Sequence, residues 1–542
     1  MFKGKQKPED FFQNDCIEYI HNKLGQEPWV TVYYQQHSDW ESVSIFSALI
    51  PNTRVEQSLQ YDSWDLHIGD GKPGCMVIYE DDKKKVTYHR YGDDNGVEPL
   101  ILYRDFYGIK KGYYEISEEF RLFHNLYFDA PNNKYLQIKD NGDEEDIILC
   151  GEKQVKIRLK QLKQFLTIKN MHLALLFAID RYSPLTLEEL KTEDKTQRVR
   201  KGNISYTFSV QEAGFSGKKS FSCLLGKKLI PGMSKERCGI WPFEEEKQYE
   251  DFIIGIDENG EPLYHTSNPD VLDNYFGANP GAPHYLTPVF FKREVLTKYY
   301  SNPERYSVED NYLRCTGLWG VRIDNNHDKF VVVFLGDLGR DLPSEEQIYW
   351  KSYNVLPDGS ISEVNFRRSF LAQWTDPQRA DLVFKSTFIQ FQKNWEKTFG
   401  WPLFKPLADK DQHNFTALRI PLNNDQAEFD QQVLALAKII IDSINEKEIQ
   451  KFIPKVEGEK GISKLEKFLV VHGLSGYESY IKFLRALWEL RIGSGHRKGD
   501  SYKKAITYFH MQKKELKLVF EEILHEATEL LKYLENWLIK FR

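Results

Sequence analysis

The sequence has no cysteine after Cys315, and the six it carries (Cys16, Cys75, Cys150, Cys223, Cys238, Cys315) form no Cys-x-x-Cys pair. That excludes a disulfide framework and the usual zinc-ligand spacings, and it predicts a reducing compartment. Long apolar runs are missing too. Leu173 to Ile179 and Val331 to Leu335 are the longest, far below the roughly 20 residues a membrane helix needs. The first residues, Met1-Phe2-Lys3-Gly4-Lys5, lack the apolar core of a signal peptide. Together these absences predict a soluble cytoplasmic protein with no membrane partner. There is no P-loop, dinucleotide fingerprint, His-Glu-x-x-His or Gly-x-Ser-x-Gly, so the motif-borne nucleotide, metalloprotease and hydrolase classes lose their signatures. Charge of one sign is also lacking. A net charge of -7 is not that of a polycation that coats nucleic acid.

What is present is an ordinary globular composition, 41% hydrophobic and 28% charged, rich in aromatics at 14%, most of them before residue 410. A chain of 542 residues should hold two to four domains, because single cores rarely grow past about 250 to 300 residues. The fold class predicted is α+β and multidomain: a mixed, strand-rich N-terminal region followed by an all-α bundle. Residues 1–155 read as a strand-rich α+β domain, with β-type runs at Trp29 to Tyr34, Cys75 to Tyr79 and Tyr135 to Ile138 punctuated by turns. Residues 156–345 read as a second α+β region, opened by a long helix over Val155 to Ile179. Strands are expected at Ile204 to Val210 and Phe252 to Ile256, and a helix at Lys292 to Tyr300. A hairpin is expected from Leu318 to Ile323 and Lys329 to Leu335 around Asp324-Asn325-Asn326-His327-Asp328. Residues 346–420 read as a connecting helical region containing a helix from Phe384 to Phe399, stopped by Gly400-Trp401-Pro402.

Over residues 421–542 the apolar residues recur at three and four, predicting four helices: Asp425 to Phe452, Ile462 to His472, Tyr477 to about Gly493, and Tyr502 through Phe541 in one or two pieces. From Asp425 onward there are 20 Lys and Arg against 18 Asp and Glu. The helical end is thus the relatively basic one.

Within it lies Arg491-Ile492-Gly493-Ser494-Gly495-His496. Spacing alone is a poor signal. With 22 arginines and 14 histidines, chance supplies about 0.6 Arg-x4-His pairs, and Arg322 to His327 is a second one, on the expected hairpin. Context separates the two. Tyr480 to Leu490 is a strong helix former that delivers Arg491 at its end, and Gly493 and Gly495 lower the cost of unwinding there, which would let His496 swing toward the arginine. The basic flank of Arg497, Lys498, Lys503 and Lys504 suits a polyanion. Glu489 and Ser494 are candidates to support the pair.

A bundle of helices with Arg-x4-His at the end of a central one resembles the HEPN superfamily, over about 120 of the 542 residues. Many members are metal-independent endoribonucleases of toxin, abortive-infection and CRISPR-linked systems. The resemblance implies that Arg491 and His496 are catalytic, that no cofactor or metal is used, and that a homodimer or higher homo-oligomer presents two motif copies in one cleft. It also implies an effector of growth arrest or anti-phage defence, with the N-terminal region sensing a phage-derived or nucleotide trigger. One departure is Ile492, apolar where active members often carry a polar residue.

The residue chemistry agrees with RNA as the partner. Cleavage by the 2′-OH needs a base, an acid and a cation to stabilise the phosphorane. A histidine near pKa 6.5 can be either base or acid, and an arginine can grip phosphoryl oxygens bidentately. One histidine cannot do both jobs in one step. The same residues also suit a structural role, with Arg491 at a helix end favoured by the dipole and the glycines terminating the helix. Two rival functions therefore stand beside the nuclease: a non-catalytic HEPN-like nucleic-acid-binding or dimerisation module, and a metal-dependent nuclease. The latter would use Asp-rich turns at Trp64-Asp65-Leu66-His67-Ile68-Gly69-Asp70-Gly71 or Gly336-Asp337-Leu338-Gly339-Arg340-Asp341. The aromatic clusters Tyr33-Tyr34, Tyr299-Tyr300 and Trp395/Trp401 read as core before they read as base-stacking platforms.

Overall fold

Leu173 to Ile179, one of the two longest apolar runs, lies in the middle of a sheet and not on a helix. The computed structural model of the chain describes residues 8–61, 73–81, 83–91, 96–215, 217–493 and 499–541. It contains 36% helix and 30% strand and divides into two compact units, Met1–Glu246 and Lys247–Arg542.

In the first unit the strands are, in chain order, β1 (Trp29–His37), β2 (Glu41–Pro51), β3 (Gly74–Glu80), β4 (Lys83–His89), β5 (Glu98–Pro99), β6 (Ile101–Phe106), β7 (Lys110–Ile116) and β8 (Tyr127–Asp129). They continue with β9 (Lys134–Ile138), β10 (Glu144–Cys150), β11 (Gln154–Arg158), β12 (Met171–Ser183), β13 (Lys195–Lys201), β14 (Ile204–Phe215) and β15 (Lys218–Ile230). The helices are α1 (Asn14–Asn22), α2 (Val55–Gln60), α3 (Glu118–Phe123) and α4 (Leu159–Lys169). One antiparallel sheet dominates, in the order β13-β14-β15-β12-β2-β1-β11-β10-β9-β8, with β5 paired to β2. Separate hairpins form from β3-β4 and β6-β7.

The long helix expected over Val155 to Ile179 is corrected to strand, helix and strand: β11, then α4, then β12. Asn170, in the left-handed region at φ 58, ends α4. β12 then pairs along its length with β2 on one side and β15 on the other. Leu173 to Phe177 are all buried, and a strand covered on both faces shows no alternation, so its pattern cannot be told from that of a buried helix. The same sheet runs through residues 155 and 156. In the core beneath it, His124 packs among the rings of Phe120 and Phe123 and donates from Nε2 to the Gln161 carbonyl at 2.9 Å. Burial pushes its imidazole down to about 4.

The second unit begins with short strands: β16 (Asp251–Ile256), β17 (Pro262–Thr266), β18 (Pro288–Lys292), β19 (Tyr306–Val308), β20 (Tyr312–Cys315), β21 (Trp319–Arg322), β22 (Phe330–Phe334) and β23 (Asn354–Val355). They form a hairpin and two three-stranded sheets, β22-β18-β23 and β19-β20-β21. The expected hairpin around Asp324-Asn325-Asn326 is corrected. β21 pairs with β20 and β22 with β18, and a single bridge, Asp324 to Val332, joins the two segments. The reason is chemical: these polar residues are buried and bonded away from a turn. Asp324 accepts from the Ser362 amide and hydroxyl, Asn326 accepts from the Gln378 amide, and Asn325 takes the Arg293 guanidinium. The helix expected at Lys292 to Tyr300 is a 3-10 turn, Arg293–Leu296, followed by α5 (Thr297–Tyr300).

Helices follow: α6 (Leu335–Asp341), α7 (Ser344–Lys351), α8 (Glu363–Phe370), α9 (Ala380–Phe399), α10 (His413–Thr416), α11 (Gln426–Ala437), α12 (Glu446–Ile449), α13 (Gly461–Val471), α14 (Glu478–Gly493), α15 (Asp500–Tyr508) and α16 (Leu516–Phe541). Gly400, at φ 77, stops α9 as a left-handed C-cap. Asp425 caps α11 by accepting from the Ala427 amide. A continuous apolar core joins α9, α11, α13, α14, α15 and α16, from Ala380 to Leu538. The helical core therefore begins before residue 421, since Trp395 and Phe391 of α9 are fully buried in it.

Candidate functional site

α14 forms because Ile481, Phe483, Leu484, Leu487 and Leu490 recur at helical spacing and are buried in the bundle. Arg491 stands in its last turn, where a cation is favoured by the helix dipole. Its guanidinium Nη1 donates to Asp442 Oδ1 at 2.5 Å, with the arginine partly buried and the aspartate exposed. Asp442 is the final residue of a π-helical turn, Lys438–Asp442, continuing from α11. Such wide turns are rare and shift the register of the side chains beyond them. Here the turn brings a carboxylate to the end of a helix 49 residues further along the chain.

Gly493 plays a different part from the one its sequence suggests. It is helical and buried, and a Cβ placed on it would overlap the Tyr502 ring. The glycine lets α15 approach the end of α14, so close packing rather than unwinding explains it. Ser494, Gly495, His496, Arg497 and Lys498 lie outside the described residues.

A second feature flanks the same helices. Lys482, Arg485 and Glu489 on α14, with Lys503, Lys504, Thr507 and Tyr508 on α15, line a cleft of about 550 Å3. Lys482 Nζ lies 5.6 Å from the centroid of the Tyr508 ring, and the Tyr508 hydroxyl donates to Glu526 Oε2 at 2.8 Å. Burial, together with the Glu526 carboxylate, pushes that phenol upward. Arg485 pairs with Glu466, and Lys503 with Asp500 at 3.2 Å, while Lys504 is exposed. At 3.6 residues per turn, Arg491 is about 180° around α14 from Lys482 and about 200° from Glu489. The helix therefore does not bring Glu489 to the arginine. Lys503 and Lys504 share a cleft with Glu489 and belong to the other face. Asp442, Lys482 and Arg485 were missed from the sequence. The spacing of Lys482, Arg485 and Glu489, at three and four, was the signal for one polar helix face, whereas nothing local marks Asp442.

Arg322 ends β21, and His327 sits near the Phe290 ring, with Nδ1 accepting from the Lys329 and Phe330 amides. That histidine is part of a turn. Gly336 to Asp341 is the helix α6 and not a turn. Its two glycines allow the approach of Tyr285 and of the Ser267 carbonyl. Asp337 is buried, accepting from the Tyr285 hydroxyl at 2.8 Å and from Arg340 at 2.9 Å. Burial pushes its carboxyl up against those two partners. Arg340 also holds Asp341, so both carboxylates are engaged. Among the described residues no three His, Cys, Asp or Glu side chains are gathered as a metal would need. Trp64 to Gly71 lies outside the described residues. Tyr33, Tyr34, Tyr299, Tyr300, Trp395 and Trp401 are all buried, as core residues should be. No helix among the described residues is long and apolar enough to cross a membrane.

Comparison with protein-family models, with curated proteins and with solved structures finds no match to this chain.

Proposed function

We propose that this protein is a HEPN-type endoribonuclease that cleaves RNA without a metal, with Arg491 and His496 as its reacting pair and a second copy of the chain completing the site. The observation that carries the reading is the setting of Arg491: a permanently charged group in the last turn of a helix, paired with the Asp442 carboxylate. An arginine so held can receive phosphoryl oxygens without first losing side-chain freedom. The 2′-OH of the substrate would attack the adjacent phosphorus, a histidine taking its proton. The bond to the 5′-oxygen would break with a proton supplied by the histidine of the other copy, leaving a 2′,3′-cyclic phosphate. Arg491 would balance the charge that builds on the phosphorane.

Exposed apolar residues support a second copy. Trp488 and Ile492, one helical turn apart beside Arg491, are 40% and 43% exposed, and a paired chain would remove them from water. On this reading Ile492 is interface surface. A defence or toxin effector triggered through the strand-rich unit is the role that the resemblance offers such an enzyme.

A non-catalytic nucleic-acid-binding or dimerisation module is favoured by the same ion pair read differently, because Asp442 also neutralises Arg491. Purified protein incubated with structured and unstructured RNAs in EDTA separates the two. Cleavage that leaves 2′,3′-cyclic phosphate and disappears in Arg491→Ala and His496→Ala supports the nuclease. Intact RNA with retained RNA binding or dimerisation supports the module, and cleavage that needs Mg2+ and survives both substitutions rejects the site.

A further inference from the structure

A large cleft lies in the first unit, away from every residue the sequence nominated for catalysis, RNA or metal binding. It has a volume of about 1,110 Å3 and lies between the β6-β7 hairpin and the β1, β8, β9 and β10 end of the large sheet. Six Tyr and Phe rings line it, Tyr33, Tyr103, Tyr113, Tyr114, Phe128 and Tyr135, together with the His37 imidazole. Tyr33, Tyr103 and Tyr114 touch one another, with centroids 5.0 to 6.5 Å apart, and Phe128 lies 4.7 Å from Tyr135. Tyr103, Tyr113 and Phe128 are each close to half exposed. Gly112 sets one of them: a Cβ there would overlap the Tyr103 hydroxyl, so the ring lies across the glycine.

Three of the phenol hydroxyls are already committed to the protein. Tyr33 donates to Gln35 Oε1 at 3.0 Å, Tyr113 to Glu115 Oε1 at 3.1 Å and Tyr114 to the Glu152 carbonyl at 3.0 Å. Of the three, Tyr113 is close to half exposed and offers a ring face with its donor spent, beside the exposed rings of Tyr103 and Phe128. A sugar site would need those donors for directional bonds to hydroxyls. A stack of flat bases needs only the faces. Two exposed lysines in the lining, Lys111 and Lys153, can meet the phosphates that join such bases, while Glu115 and Glu152 balance their charge. Affinity in such a site comes from stacking more than from counterion release.

We propose that this cleft binds the unpaired bases of a single-stranded RNA by stacking on Tyr103, Tyr113 and Phe128. The proposal does not depend on cleavage at Arg491. It gives the strand-rich unit a ligand of its own.

The test uses the full chain and a 2′-O-methyl oligouridylate carrying one 4-thiouridine, which cannot be cleaved by 2′-OH attack, so that a failed nuclease reading leaves the result interpretable. Photo-crosslinks should map to residues 101–116 and 127–135. Tyr103→Ala and Phe128→Ala should each weaken binding about tenfold, the value of one stacked base, while Tyr103→Phe should bind like the parent. The dependence of log affinity on log salt should be no steeper than about -1.4, the value for two phosphates on a single strand. Crosslinks confined to residues 482–508, no crosslinks, or unchanged affinity in both alanine variants would overturn the proposal. So would displacement of the oligonucleotide by maltohexaose, which would mark a carbohydrate site.

Discussion

At the scale of single residues, Arg491 is stabilised by a helix end and by a neighbouring carboxylate, so its role turns on what Asp442 does for it. If Asp442 aims the guanidinium, Asp442→Asn should lower kcat about tenfold or more, without raising KM, because the loss falls on the transition state. The effect on stability should stay within about 1 kcal/mol, as for other part-exposed ion pairs. Steady-state kinetics beside thermal melts would check both expectations; a change in KM alone would assign Asp442 to RNA repulsion. His124 supplies a separate residue-scale expectation. Its folded imidazole is held at about 4, below the ordinary 6.5, so between these values the unfolded chain binds the extra proton. Stability of the first unit should be fully present above pH 6.5 and should fall as the pH drops toward 4, by about 3 kcal/mol in all. Hydrogen exchange of the α3 and α4 amides at pH 7 and pH 5 reads this directly, and His124→Gln should flatten the dependence.

At the scale of elements, α14 presents two faces. The Lys482, Arg485 and Glu489 face lines a basic cleft with α15, and Arg491 lies opposite. Charge reversal by Lys482→Glu with Arg485→Glu should therefore weaken RNA binding and flatten its salt dependence by about 0.7 for each phosphate no longer neutralised, while kcat at saturating RNA stays within about twofold. Fluorescence anisotropy over a salt series, with single-turnover rates, distinguishes these effects. The elements also show what the sequence could disclose. α9, α13 and α14 were legible because each has an amphipathic period bounded by a glycine break, with Gly400 after α9, Gly458 and Gly473 on either side of α13 and Gly476 before α14, all at positive φ. β12 was not legible, because burial on both faces erases the period-two signal and leaves only Asn170 as a break. The Asp324 loop was misread for the opposite reason. Its turn-like composition serves buried hydrogen bonds to Ser362, Arg293 and Gln378, partners more than 30 residues away in the chain. Half of the candidate site was likewise visible: Arg491 from its helix, but not Asp442, which depends on a π-helical turn.

At the scale of the whole molecule, two units with separate cores divide the chain between Glu246 and Lys247. The first is organised around one antiparallel sheet and carries an aromatic cleft. The second ends in a helical bundle that carries Arg491. One copy of the Arg-x4-His motif offers one histidine where the proposed chemistry asks for a base and an acid, and Trp488 and Ile492 are exposed beside the arginine. On the proposed reading, cleavage at this site would take two chains. The decisive quantity is the rate of RNA cleavage per chain in EDTA across a dilution series, with product ends identified. A paired nuclease should give 2′,3′-cyclic phosphate ends, a rate per chain that falls as the protein is diluted through its dimer dissociation, and no cleavage by the His496→Ala chain. Intact RNA at every concentration, or equal rates for the parent and His496→Ala chains, would show that the Arg491 end of the bundle is not a nuclease site.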